Sequence, residues 1–328
     1  MAPGFERLRA CCFRFNTDPA PAVRDALEFI GWQNIVAKGS RVAIKPNLTY
    51  VRYKEGVTTS PAVLRALLEI LKERTDNIKV VETDGGYGAW KLTDAYKGHN
   101  YDKICAALNV ELVNLADGPS ELINFQARGQ THHLPLPRLL LHETDVFITV
   151  PVPKVHAMTY LSLSYKNQWG CIPDSMRLRR HYLFNDAIVA INRALRTSIC
   201  LGDGTYFLDV NGPMEGQPVR MNTIIAANNP GAFDLYTSQV MGLDWRQAPH
   251  LRRAVELGDM PSDLSSLEMN VPPHKVRTHQ FKLRRTLWNR FIVLPFRSQT
   301  LTTIGYDSSF GRFLHKIKYA IKPPAERQ

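Results

Sequence analysis

The stretch DVFITVPVPKVHAMTYLSLSYKNQWGCIPDSMRLRRH, residues 145–181, is the most informative part of this chain. It begins with a run of apolar residues that is typical of a buried parallel strand, and two prolines end that run. Polar and titratable side chains follow within a short length of chain: Lys154, His156, Lys166, Asn167, Cys171 and His181. Ligands bind beyond the carboxyl ends of strands in α/β sheets, and buried polar groups are costly without a partner. We therefore predict a functional site here.

Strand and helix patterns alternate on both sides of this stretch. Apolar strand patterns recur at residues 8–15, 41–44, 78–81, 110–115, 145–150, 199–201 and 221–227. Between several of these strands, apolar residues recur at helical spacing. One such helix follows Ser60 and Pro61, which are typical of a helix N-terminus. The alternation predicts an α/β fold with a mostly parallel sheet and helices on both faces. We expect two lobes, with a boundary near residues 140–150.

The C-terminal part of the chain differs from this core. Residues 246–273 are polar and interrupted by prolines, which predicts a linker or loop. We therefore expect a core over residues 1–270 and an extension over residues 271–328. In the extension, apolar residues recur at helical spacing with basic residues between them: Leu283, Leu287, Phe291 and Leu294. This pattern predicts a short basic amphipathic helix.

Positive charge is concentrated in the same C-terminal part. Residues 275–328 contain twelve Lys and Arg against two acidic residues, so ten of the eleven net positive charges lie there. A basic amphipathic segment is typical of proteins that bind a membrane surface or a partner. One alternative for the function is therefore a binding module that uses this tail to bind nucleic acid or an anionic membrane surface.

Cysteine usage and hydropathy indicate a cytoplasmic protein. The five cysteines are scattered and odd in number, which favours a reducing compartment over a disulfide framework. The N-terminus lacks an apolar signal region, and no apolar run approaches the length of a membrane span. The clustered cysteine motif of an iron–sulfur protein is absent from the sequence, so we expect no such cluster and name no cofactor.

The central stretch also carries two family motifs. The pattern D-x-x-x-x-V-P-x-x-K-x-H at residues 145–156 precedes S-x-S-x-K-N-x-x-G at residues 162–170. Further matching segments lie at residues 45–47, 56–61, 202–204, 211–216, 233–234 and 241–242. Together they resemble the family catalogued as domain of unknown function 362, over roughly residues 41–242. The resemblance implies a fold and a set of site positions, and the family name assigns no general activity.

Four residues are candidates for catalysis: Lys166, His156, His181 and Asp203. A desolvated lysine can lose its proton and act as a base or nucleophile, and imidazole titrates near neutrality. Asp203 lies between two glycines at the expected end of a strand, where it is either a general base or a turn cap. Each histidine could instead order a loop by bonding the backbone.

Six residues are candidates for binding a substrate: Lys45, Asn47, Thr58, Thr59, Lys154 and Asn167. The lysines follow strand ends or bends, and a lysine binds an anionic group as a point charge. The threonines precede a predicted helix, whose N-terminus favours an anion. The alternatives are that the lysines are solvated or paired with carboxylates, and that the threonines only cap the helix.

A second, more distant resemblance concerns a metal. A lysine followed fifteen residues later by a histidine is similar to the nickel-pincer lactate racemases. In that family the lysine tethers the cofactor and the histidine ligates nickel, which would assign those roles to Lys166 and His181. The glycines before that family's lysine are here replaced by Ser162, Leu163, Ser164 and Tyr165. We therefore predict no metal; His181 and His156 would be the ligands if one were bound.

Taken together, the sequence predicts an enzyme that acts on a small anionic or carbonyl-bearing metabolite. Lysine and histidine acid–base chemistry of this kind is typical of isomerases, lyases and cyclases. Binding of an anionic surface through the basic tail is the first alternative. By analogy with ferredoxin-bearing members of the family, the second is a redox or metal-dependent enzyme with a separate electron donor.

Overall fold

The computed structural model describes residues 7–285, 293, 296, 298–306 and 308. Within them the chain has twelve strands and twelve α-helices. The strands are β1 (Leu8–Arg14), β2 (Val42–Pro46), β3 (Ile78–Glu82), β4 (Glu111–Asn114), β5 (Ser120–Ala127), β6 (Gln130–Pro137), β7 (Val146–Val150), β8 (Lys154–His156), β9 (Tyr160–Ser162), β10 (Ile199–Asp209), β11 (Gln217–Ala227) and β12 (Leu267–Met269). The helices are α1 (Ala20–Phe29), α2 (Trp32–Ile35), α3 (Pro61–Leu71), α4 (Leu92–Gly98), α5 (Tyr101–Ala107), α6 (Arg138–His142), α7 (Ser164–Asn167), α8 (Phe184–Leu195), α9 (Pro230–Val240), α10 (Pro249–Glu256), α11 (Pro273–Val276) and α12 (Gln299–Tyr306).

Ten of the strands form one sheet, and β5 and β6 form a separate hairpin. The order along the sheet is β12-β1-β11-β10-β7-β2-β3-β4. Five strands, β10, β7, β2, β3 and β4, are parallel to one another. Strand β11 is antiparallel to both β10 and β1. The predicted mostly parallel α/β fold is therefore confirmed.

Alternating side chains of the strands enter two hydrophobic cores on opposite faces of the sheet. In β7, Val146, Ile148 and Val150 belong to one core, and Phe147 belongs to the other. Helices α1, α3 and α5 cover the first face, and α8, α9 and α10 cover the second. Both faces of the sheet are buried, which explains why its central strands are mostly apolar. Strand β7, at the predicted lobe boundary, lies in the middle of the sheet.

The structure corrects two local predictions. Residues 246–273 are not a linker, because they contain helix α10 and strand β12. Asp203 does not end its strand, because β10 continues to Asp209 past an irregularity between Gly204 and Tyr206.

The predicted basic helix lies mostly outside the described residues. At its start, Leu283 is extended and forms an isolated bridge with Val210. Among the helices of the described part of the chain, none has the length and hydrophobicity needed to cross a lipid bilayer.

Candidate functional site

Two neighbouring strand ends carry a buried ion pair. Lys45 in β2 places its Nζ 2.6 Å from Oε2 of Glu82, the last residue of β3, and both side chains are buried. The other Glu82 oxygen accepts a hydrogen bond from the backbone N–H of Thr83 at 3.0 Å. A Cβ on Gly170 would lie 2.9 Å from both side chains, so the backbone packs directly against the pair. Lys45, predicted to bind a substrate, therefore has a carboxylate partner within the protein.

Lys154, in β8, is fully buried. Its Nζ donates a hydrogen bond to the carbonyl oxygen of Val57 at 2.6 Å. Burial lowers the pKa of this lysine well below its usual value, and the positive charges of Lys166 and Lys45 lower it further. None of the described residues gives Lys154 a carboxylate within ion-pair distance.

Lys166, in α7, is partly exposed and differs from the other two lysines. Its ammonium group makes no hydrogen bond or ion pair with any residue that the structure describes. Its Nζ lies 5.9 Å from the centre of the Phe184 ring, which gives it a cation–π contact. Burial of the amine and the charges of Arg177 and Lys45 lower its pKa to about 8.

Helix α7 is held at both ends by buried side chains. Oδ1 of Asp234 accepts hydrogen bonds from the N–H and the hydroxyl of Ser164, at 2.8 and 2.5 Å, and Oδ2 accepts one from the N–H of Tyr165 at 3.2 Å. Burial raises the pKa of Asp234 to about 7. At the other end, Nδ2 of Asn167 donates to Thr149 Oγ1 at 2.8 Å and to the carbonyl of Lys45. These contacts fix the position of the backbone that carries Lys166.

The two predicted histidines approach this lysine from different elements. Nδ1 of His156 accepts hydrogen bonds from the N–H groups of Met158 and Thr159, at 3.1 and 3.4 Å, so the neutral ring carries its proton on Nε2. Burial lowers the pKa of His156, and the charge of Lys166 lowers it further. His181 stacks on Trp169 with ring centres 5.2 Å apart. Burial and the charges of Lys166 and Arg177 lower the pKa of His181 to about 3.

His250 and Arg177 form one cluster with Lys166, His156 and His181, and neither was among the predicted site residues. His250 is fully buried in α10, and neither of its ring nitrogens has a hydrogen-bond partner among the described residues. Burial and the charge of Lys166 lower the pKa of His250 to about 3. Arg177 donates from two nitrogens to the carbonyl of Asp84, at 3.3 and 3.4 Å. A helix assignment for residues 249–256 would have drawn attention to His250; Arg177 lies close to two other arginines, Arg179 and Arg180, and gives no distinct signal.

The remaining predicted site residues fix the loop before α3. Asp203 accepts hydrogen bonds from the N–H of Ser60 at 2.6 Å and from the Thr205 hydroxyl at 2.7 Å, so a carboxylate of the protein occupies this helix N-terminus. The Thr59 hydroxyl donates to the carbonyl of Val150 at 2.7 Å.

The neighbouring polar groups have similar partners. The Thr59 hydroxyl also accepts the N–H of Asn47 at 2.8 Å, and the Thr58 hydroxyl accepts the N–H of Lys54 at 2.9 Å. Within the described structure these hydroxyls and the Asp203 carboxylate therefore have bonding partners of their own, and they contribute order to the loop.

The arrangement as a whole suits an anion. Of the cations Lys45, Lys154, Lys166 and Arg177, only Lys45 has a carboxylate within ion-pair distance in the described part of the chain. Unpaired cations that are largely removed from water favour an anionic ligand. Among the residues that the structure describes, no three His, Cys, Asp or Glu side chains lie together in a group that could hold a metal ion.

Comparison with known proteins agrees with the sequence motifs. The chain is 25% identical over 278 residues to a thylakoid-associated protein of the cyanobacterium Synechocystis, and the match covers 81% of this chain and 83% of the relative. A crystal structure of a protein from Thermotoga maritima matches 70% of this chain and 61% of its own length, less than two thirds, with 12% identity and a TM-score of 0.41. The profile of the family described as domain of unknown function DUF362 matches residues 42–239, more than half of the chain, and the chain therefore belongs to that family.

Proposed function

We propose that this protein is an enzyme that binds a small anionic, carbonyl-bearing metabolite and moves protons on it. The observation that carries the proposal is the Lys166 ammonium, which has no hydrogen bond or ion pair among the described residues. An unpaired, largely desolvated charge costs free energy of folding, and a ligand that pairs with it recovers that free energy when it binds. The five free cysteines, all buried, fit a cytoplasmic setting for such an enzyme.

The contacts of Arg177, Lys166 and His156 favour a different role for each residue. Arg177 retains N–H donors beyond the two that bond Asp84, and a guanidinium binds a carboxylate through such donors. A pKa of about 8 leaves a fraction of Lys166 as the neutral amine near neutrality, so this amine can accept a proton. His156 holds its own proton on Nε2 and can donate a hydrogen bond to an oxygen on which negative charge develops. This division of roles favours an isomerase or lyase type of reaction.

Replacing Lys166 with methionine tests the proposal. We expect anionic carbonyl compounds to raise the melting temperature of the wild-type protein, and to bind the variant roughly tenfold or more weakly, since one charge-assisted hydrogen bond is lost. In heavy water, the wild-type protein should exchange the protons next to the carbonyl of a bound compound, and the variant should not. Nuclear magnetic resonance of the compound measures this exchange.

Lys103→Met is the matched control, because Lys103 is exposed on α5 and the substitution changes the net charge equally. It should bind and exchange like the wild-type protein. If no anionic carbonyl compound stabilises the protein, or if Lys166→Met retains full proton exchange, the proposal is wrong.

A second candidate function, compatible with the first, is association with an anionic membrane surface. Two observations favour it: the similar protein is named for its association with thylakoids, and ten of the eleven net charges lie in residues 275–328. Clustered cations bind anionic lipid headgroups with roughly 1 kcal/mol for each residue near the surface.

Vesicle sedimentation measures this association. The full chain should bind vesicles with an anionic lipid at low salt, and it should be released at high salt. Replacing Lys316, Lys318 and Lys322 with glutamine should weaken binding, whereas the same change at the exposed Lys38, Lys97 and Lys103 should not. Equal loss in both triple variants would indicate a dependence on net charge alone.

A further inference from the structure

We propose that Lys166 is a nucleophile that forms an imine with its substrate, and that the substrate class is the 2-oxo acids. This inference rests on the proposed function and deepens it: it names the reacting atom and the two groups that the ligand must carry, a carbonyl and an adjacent carboxylate.

The contacts of the three lysines distinguish Lys166 from the others. Lys45 is bound to Glu82 at 2.6 Å, and Lys154 is fully buried with its Nζ on the carbonyl of Val57. Lys166 alone of the three is partly exposed and has no hydrogen bond or ion pair among the described residues. A nucleophilic amine needs a nitrogen that no protein group holds and access for a carbonyl compound, and of these three lysines only Lys166 is both partly exposed and without a hydrogen-bond partner among the described residues.

The surroundings of Lys166 keep its amine reactive and still attract an anion. Burial of the amine and the positive charges of Arg177 and Lys45 disfavour its protonation. Arg177 has no carboxylate within ion-pair distance in the described structure, so its charge attracts a carboxylate, and its planar guanidinium can receive it. A 2-oxo acid carries its carboxylate on the carbon next to the carbonyl. Arg177 carries the charge that acts most strongly on Lys166, so a carboxylate bound to Arg177 would bring the neighbouring carbonyl carbon close to this amine.

The imine step balances without an oxidant or reductant. The neutral Lys166 amine attacks the carbonyl carbon: a C–N bond forms, the C=O double bond becomes a single bond, and one of the two nitrogen protons passes to the oxygen. The C–O bond then breaks, the hydroxyl leaves as water with the second nitrogen proton, and a C=N bond results. The sum is one amine and one 2-oxo acid giving one imine and one water. His156, with its proton on Nε2, is the group that can hydrogen-bond the oxygen as it leaves.

Reductive trapping of the full-length protein tests the inference. Borohydride reduces an imine to a stable secondary amine, so pyruvate with borohydride should add the mass of pyruvate less one oxygen atom to one lysine, and peptide mapping should locate it at Lys166. Acetone, which matches pyruvate but carries a methyl group in place of the carboxylate, should be trapped roughly tenfold less, because one charge-assisted contact is lost.

Two substitutions and one control complete the experiment. Lys166→Arg retains the positive charge and should abolish trapping, whereas Lys103→Arg should leave it unchanged. Arg177→Gln should reduce trapping of pyruvate to the level of acetone. If pyruvate stabilises the protein but leaves no adduct on Lys166, the imine is wrong and the proposed anion-binding enzyme stands. If pyruvate and other anionic carbonyl compounds neither stabilise the protein nor leave an adduct, both proposals fall. Equal trapping of acetone and pyruvate would overturn the choice of 2-oxo acids.

Discussion

Replacing Lys45 with methionine is expected to lower the free energy of unfolding by about 3–5 kcal/mol, the usual result of removing one partner of a buried ion pair. The substitution retains the length and apolar part of the side chain but leaves the Glu82 carboxylate buried without its cation. Glu82 cannot turn away to water, because the backbone of Gly170 packs against the pair. Its remaining bond to the N–H of Thr83 does not neutralise the charge.

Urea unfolding followed by tryptophan fluorescence measures this loss. The double variant Lys45→Met with Glu82→Gln removes both charges and should recover most of the stability, since an uncharged buried pair carries no unpaired ion. Lys79→Met is the control: Lys79 in β3 forms an ion pair with Glu111 in the neighbouring strand β4, but that pair is exposed, and its loss should cost less than about 1 kcal/mol. A Lys45→Met protein as stable as the control variant would contradict the buried pair.

For the three lysines, the position in the chain could be predicted from the sequence, but the bonding partner could not. Each lies near a strand end or bend, and the sequence predicted that position correctly because apolar runs and prolines are local signals. Their environments differ through residues far away in the chain: Glu82 lies 37 residues from Lys45, and Val57 lies 97 residues from Lys154. Such partners follow from the order of strands in the sheet, and single-sequence patterns do not reveal that order.

The segment around His250 was mispredicted for a different reason. Prolines in a polar segment favour a loop, but Pro249 stands at the first position of α10, where proline favours a helix. Helix α10 buries only His250, Leu251 and Ala254, so its apolar face is too narrow to stand out in a polar sequence. The helix therefore depends on packing against the core, and the histidine that it contributes to the cluster could not be found from periodicity.

The role of Asp203 also could not be predicted from the sequence. The flanking glycines correctly indicated close approach of the backbone, and Gly204 lies against the neighbouring strand at Thr223. The strand continues beyond it, however, and the carboxylate accepts three hydrogen bonds from Ser60 and Thr205. A residue type that suits a general base suits a helix cap equally well, and only the neighbours of the carboxylate distinguish the two roles.

Acidification is expected to destabilise the protein strongly between pH 6.5 and pH 4 because its cluster histidines are buried. The pKa values of His181 and His250 are lowered to about 3 in the folded protein, and that of His156 is also lowered, whereas an unfolded histidine titrates near 6.5. Below pH 6.5 the unfolded chain therefore binds more protons than the folded chain, and stability falls as the pH falls. Above pH 6.5 these histidines are neutral in both states and the effect vanishes.

The variant His250→Leu tests the contribution of one buried histidine to the loss of stability at low pH. At about 1.4 kcal/mol per pH unit, a folded pKa near 3 means that His250 costs roughly 3 kcal/mol at pH 4 relative to pH 7. The stability of the leucine variant, measured by urea unfolding across this range, should therefore fall less steeply than that of the wild-type protein. His274→Leu, at an exposed histidine, should retain the wild-type slope. Parallel slopes for His250→Leu and the wild-type protein would mean that His250 accepts a proton in the folded state. The positive charge of Lys166 would then be compensated by a partner, and the site would have no unpaired charge for an anionic ligand to neutralise.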